Sequence, residues 1–162
     1  MQEFDEVLSF VDSLSLEASS LTSCERTSCE SKEFHWEFGI QQIDRLGLLV
    51  SEVTLMPRKP RVAPILTWAE MIIQRLTYLE EGFKLVEHDS EHDSTWLRSK
   101  IRQHREESAT YYEILLTTVG GISLRHYRLN RDSGERRVCA GNLSRQTFER
   151  IIEDLLLVAS ST

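Results

Sequence analysis

Three prolines within eight residues, Pro57, Pro60 and Pro64, remove three backbone donors, so neither a strand nor a helix continues through this stretch. The stretch must be an ordered connector. Before the prolines, Phe34, Trp36 and Phe38 alternate with His35 and Glu37 as a half-buried strand does, and a second strand is expected from Leu48 to Met56. After them, Thr67 with Glu70 three positions on predicts a capping box. It opens an amphipathic helix that carries Trp68, Met71, Ile72, Leu76 and Leu79 and ends near Gly82.

The remainder reads as an antiparallel meander closed by a helix. Phe83 to His88 and Trp96 to Arg102 are strand-like around a polar turn, and Tyr111 to Thr118 and Ile122 to Leu129 flank Gly120-Gly121. A two-residue primed turn at these glycines pairs Tyr112 with Leu129, Ile114 with Tyr127 and Glu113 with Arg128. That register places Tyr112, Ile114, Leu116, Tyr127 and Leu129 on one core face. Asp132-Ser133-Gly134 marks another turn, and Arg136 to Cys139 a short last strand. Leu143, Ser144 and Phe148 form a hydrophobic staple around an N-cap, opening a helix striped by Phe148, Ile151, Ile152, Leu155 and Val158. Strands in runs, with helices between and after them, predict an α+β fold. Its mostly antiparallel sheet of about six or seven strands is packed by a central helix and a C-terminal helix, with an N-terminal amphipathic helix in addition.

That first helix places Phe4, Val7, Leu8, Val11 and Leu14 at helical spacing, with Glu3, Asp5 and Glu6 near its positive end. Nine of the nineteen positions from Ser13 to Ser31 are Ser or Thr, too little apolar surface to offset chain entropy. The expected organisation is an amphipathic helix over 1–18, a Ser/Thr-rich linker over 19–31 and a single α+β domain over 32–162.

The net charge of −7 conceals an asymmetry: residues 1–97 hold 18 acids against 8 bases, and residues 98–150 hold 6 acids against 11 bases. No apolar run approaches the roughly 20 residues of a membrane-spanning helix, and Glu3, Asp5 and Glu6 stand where a secretory signal carries basic residues. Cys24, Cys29 and Cys139 are an odd, sparse set, so free thiols and a cytoplasmic location are expected.

The most conspicuous pattern is Glu-His-Asp-Ser written twice over residues 87–94. His88, His92 and Asp93 have the ligand chemistry of a zinc-type site, but a turn between strands is polar in any case and lacks groups to orient such ligands. The favoured reading is a solvated turn, with no metal and no cofactor. Cys24, Cys29 and His35 supply three zinc-type ligands without a fourth, so a reduced linker is expected there. No Gly-x-Ser-x-Gly turn, glycine-rich phosphate loop or His-Glu-x-x-His helix occurs, so no catalytic residue is assigned. Arg98, Lys100 and Arg102 alternate along one expected strand on a face shared with Trp96, a basic ladder with one aromatic. The acidic excess of the first 97 residues makes internal pairing the simplest fate of these bases and argues against nucleic acid.

Only in size, acidity and mixed strand and helix content does the chain resemble bacterial type III secretion chaperones, and no motif carries a family assignment. The expected function is a non-enzymatic protein-interaction module, self-associating or chaperone- or adaptor-like. Its partner is a protein or a second copy, met through Phe4, Val7, Leu8, Val11 and Leu14. The alternative is a small enzyme, or a metal- or anion-ligand binder, using the turn at 87–93 and nearby arginines.

Overall fold

A computed structural model describes residues 2–17, 25–60, 64–119 and 121–161 of the chain. In chain order these form α1 (Gln2–Glu17), β1 (Glu25–Glu30), β2 (Phe34–Ile43), β3 (Gly47–Pro57), α2 (Ile65–Arg75), β4 (Phe83–Asp89), β5 (Ser94–Ser99), β6 (Arg102–Arg105), β7 (Ser108–Thr117), β8 (Gly121–Asn130), β9 (Arg136–Val138), β10 (Gly141–Ser144) and α3 (Arg145–Ser160). One antiparallel sheet runs in the order β1-β2-β3-β8-β7-β5-β4, with β10 beside β3, β6 beside β7 and β9 beside β8. The fold is α+β with ten strands among the described residues, against the six or seven expected. The additional strands, β1, β6 and β10, are short and polar, without the alternation that announces a half-buried strand. β1 lies inside the stretch read as a linker. Backbone pairing with β2 along its length, from Glu25↔Ile40 to Glu30↔His35, substitutes for the missing apolar side chains.

The helices share one face of the sheet. α2 packs on β4, β5 and β7, α3 packs on β3, β8 and β10, and α1 packs on α3. Trp36, Phe38, Leu55, Ile114 and Leu116 from the sheet meet Ile72, Phe148, Ile151 and Leu155 from the helices, all completely or almost completely buried. Both ends of α3 follow from its sequence. Ser144 is the N-cap, its side chain accepting from the Thr147 amide at 3.0 Å, and Leu143 and Phe148 are buried on either side of it. α2 starts two residues before Thr67. Pro64, with φ −59° and ψ 130°, takes the N-cap position without a side-chain bond, so the expected capping box is not used. α2 also stops at Arg75, well short of Gly82. Glu80, Glu81 and Gly82 then run through the left-handed region at φ 42°, 64° and 91°, turning the chain back into β4. Two side chains in that region cost about 1 kcal/mol or more each.

The β7–β8 hairpin departs from the expected register. Thr117 pairs with Gly121, leaving three residues between the strands, so Tyr112 faces His126, Ile114 faces Leu124 and Glu113 faces Arg125. A shift of odd parity exchanges the two faces of a strand. Tyr112, Ile114 and Leu116 belong to the core as expected, but on β8 the core takes Ile122 and Leu124, while Tyr127 and Leu129 point away from the helices. Gly121 sits at φ 74°, and a Cβ there would stand 2.1 Å from the Leu55 carbonyl oxygen, so β8 enters the sheet against β3 only with glycine at this position.

α1 is seated on its own domain. Val7 and Val11 are completely buried, Phe4, Phe10 and Leu14 pack against the same core, and Leu8 is half-buried. Phe10 stacks on Phe38 at 6.3 Å. Polar bonds fix both halves of the helix. Glu3 accepts from the Ser31 hydroxyl at 2.6 Å and the Glu33 amide at 2.8 Å, and Arg145 donates to Asp12 at 2.6 Å. No helix among the described residues is long and apolar enough to cross a membrane. Because Val11 is completely buried on the inner side of α1, Val11→Asp is expected to lower stability by about 2–4 kcal/mol in urea unfolding, with a single transition retained. An unchanged midpoint would mean that α1 contributes nothing to the folded domain.

Candidate functional site on the helix-free sheet face

Among the described residues no helix covers the second face of the sheet. Antiparallel pairing lines up one row of side chains across this face: Arg26, Gly39, Glu52, Arg125, Glu113, Arg98 and Lys84, on β1, β2, β3, β8, β7, β5 and β4. Gly39 contributes no side chain, and Arg26 spans it to reach Glu52 at 3.3 Å. Glu52 also accepts from Arg125 Nε at 3.1 Å and from the Thr54 hydroxyl at 3.2 Å. Glu113 Oε2 accepts from Arg98 at 3.1 Å and from Arg136 of β9 at 2.9 Å. Both glutamates have only 9% of their side chains exposed, whereas their arginine partners remain a third exposed or more. Each carboxylate is thus sunk into the sheet between guanidiniums that reach solvent.

Two tyrosines support the arginines. Tyr111 and Tyr127, cross-strand partners on β7 and β8, are buried and stack at 5.6 Å. The Arg98 guanidinium lies 4.9 Å from the Tyr111 ring centre, and that of Arg136 lies 4.6 Å from the ring centre of Tyr127. Arg136 also donates to the Tyr111 hydroxyl at 3.3 Å. Beside this group is a shallow pocket of about 390 Å³, lined by Trp96, Tyr111, Glu113, Arg98 and Arg136 together with Val86, Glu87, Ile101 and Leu129.

The expected basic ladder falls into two parts. Trp96 and Arg98 lie on β5 at the pocket, but β5 ends at Ser99. Lys100 follows β5 and pairs with Glu81 at 2.7 Å, while Arg102 begins β6 and lies 3.8 Å from Glu80. In the turn after β4, His92 bonds to Asp89 at 2.7 Å, and that bond, with the His92 and Glu91 amides, holds the Asp89 carboxyl below the usual carboxylate range. His88 bonds instead to the Thr95 hydroxyl at 2.8 Å, and Asp93 adopts φ 51°. Among the described residues no three His, Cys, Asp or Glu side chains converge as a metal site. Cys24 lies outside the described residues; Cys29 is on β1, and His35 pairs with Glu30 and Glu37.

One pair absent from the sequence reading is Cys139 with His126. The Cys139 amide donates to the His126 carbonyl at 2.9 Å, which brings Sγ within 3.2 Å of Nδ1, and the Tyr112 ring packs against the imidazole at 4.6 Å. Burial pushes the Cys139 thiol up and the His126 imidazole down, so the pair is a thiol beside a neutral ring rather than an activated thiolate. Comparison with protein-family models, curated proteins and solved structures finds no match for this chain.

Removing one carboxylate from the row strands two guanidiniums. Glu113→Ala is expected to cost about 1–3 kcal/mol in urea unfolding, less than a fully buried pair because the arginines reach solvent. A loss near zero would mean that the pairing adds nothing. His126 gives a pH signature. Its folded pKa is depressed, chiefly by burial, so its contribution to stability is intact above about pH 6.5 and is lost as pH falls through that value toward the folded pKa. His126→Phe is expected to flatten that part of the profile, read from urea midpoints between about pH 7.5 and about pH 5.

Proposed function

We propose that this chain is a non-enzymatic protein-interaction module working through the helix-free face of its sheet. The observation carrying the reading is where apolar surface remains uncovered. The stripe of α1 is seated on α3 and β2, whereas Val86 is 50% exposed and Ile101 is 37% exposed at the Trp96 pocket. Apolar groups gathered beside oriented arginines are the composition of an interface centre. The face suits this role better than the edges. β4 carries an irregularity between Leu85 and Glu87, and β1 is short and charged, both of which discourage strand addition. A cytoplasmic setting suits the free thiols Cys29 and Cys139.

A photocrosslinking amino acid placed at Val86 in the native cell is expected to give discrete adducts. The same group at Leu157, 45% exposed on α3, is the control and is expected to give none. Equal labelling from both positions, or none from either, would remove the proposal.

A further inference from the structure

Resting on that reading of the face, we propose that the pocket beside Trp96 takes the side-chain carboxylate of an acidic segment of a protein partner, flanked by apolar residues and gripped by Arg98 and Arg136. Both guanidiniums converge on a single oxygen, Glu113 Oε2, at 3.1 and 2.9 Å, and each is held near a tyrosine ring. Their orientation is therefore fixed before a ligand arrives, and little rotamer freedom is left to lose on binding. The bonds to Glu113 and Tyr111 use one nitrogen of each guanidinium, Nη2 of Arg98 and Nη1 of Arg136. A guanidinium carries five N–H donors in a planar fork, the arrangement that matches a carboxylate.

Charge selects among anions. Two guanidiniums against Glu113 and Glu87 leave the lining with no net charge. A monoanionic carboxylate therefore adds a single negative charge at the two guanidiniums, whereas a dianionic phosphate adds two beside two glutamates. Shape selects the context. Val86, Ile101, Leu129 and Trp96 make the walls, and about 390 Å³ holds one or two side chains, which fits a carboxylate next to leucine-like neighbours. The net charge of −7 opposes an acidic partner only at long range, because screening at physiological salt confines that repulsion to about 8 Å.

The test is a titration of the full, isotope-labelled chain with the blocked peptide acetyl-Leu-Glu-Leu-Glu-Leu-amide, read at the Trp96 indole and the Arg98 and Arg136 Nε–H resonances. Saturable shifts are expected, with affinity lower by about tenfold or more for the Leu-Gln-Leu-Gln-Leu peptide and for Arg136→Gln. Arg136 lies on the exposed strand β9, and an unchanged thermal midpoint would show that this variant still folds. Arg98→Lys keeps the charge, loses the fork and is expected to weaken binding similarly. Equal response to the glutamine peptide, no response at millimolar peptide, or tighter binding of inorganic phosphate to the same resonances would overturn the proposal. So would shifts driven by protein concentration alone, which would identify a second copy as the occupant. A silent titration alongside adducts from position 86 overturns the carboxylate chemistry alone; silence in both experiments overturns the wider reading as well.

Discussion

The pairing of Thr117 with Gly121 decides what each face of the molecule is made of. Side chains alternate along a strand, so this contact sends Ile122 and Leu124 toward the helices and Arg125 and Tyr127 to the opposite side. Each relation that β8 makes on the helix-free face inherits that choice: Arg125 beside Glu52, Tyr127 on Tyr111, and through Tyr127 the placement of Arg136 near Glu113. Moving β8 by one residue would bury Arg125 under α3 and expose Leu124. The glycine at 121 is what permits the register, because the Leu55 carbonyl lies where any side chain would begin.

With one face committed to apolar contacts, the helices have a single place to go. α2 and α3 cover the sheet from β3 to β4, and α1 fills the space above β2, where Phe38 meets both Phe10 and Phe148. α1 is the piece whose stripe a mobile arm would expose. Seated in place, Val7 and Val11 become core, and Glu3 and Asp12 tie the helix to Ser31, Glu33 and Arg145. The apolar stripe of the first helix is thereby withdrawn from solvent.

Much of the scaffold was legible because it depends on local pattern. The alternation at Phe34–Phe38, the break at the prolines and the staple around Ser144 each rest on neighbours within about four residues. The site was not legible, because it depends on register. Arg26, Glu52, Arg125, Glu113 and Arg98 come from five strands, and their adjacency appears only once every hairpin length is known. A loop longer by one residue than the glycines implied moved Arg128 away from Glu113 and brought Arg125 opposite it. The expected ladder failed to stay together for a similar reason: the chain leaves β5 at Ser99, so strict alternation does not reach Lys100. Ser/Thr richness across 13–31 pointed to a linker because composition registers burial and not backbone pairing, which is what holds β1 on β2.

Glutamates sunk among arginines on an otherwise open face cost desolvation that an apolar pair of similar volume would avoid. What they provide is orientation. A carboxylate fixed in the sheet holds two long, mobile side chains in one geometry and leaves their outer donors toward solvent. For an incoming carboxylate about 4 Å from each guanidinium and about 5 Å from each of Glu113 and Glu87, each attraction is about 4 kcal/mol and each repulsion about 3 kcal/mol at an effective dielectric constant of about 20. The surplus of about 2 kcal/mol is consumed in stripping water from the ligand and from the half-exposed arginines. Charge alone therefore gives weak, reversible attachment, and specificity falls to the apolar walls at Val86, Trp96, Ile101 and Leu129, where buried area adds to affinity without a matching desolvation cost.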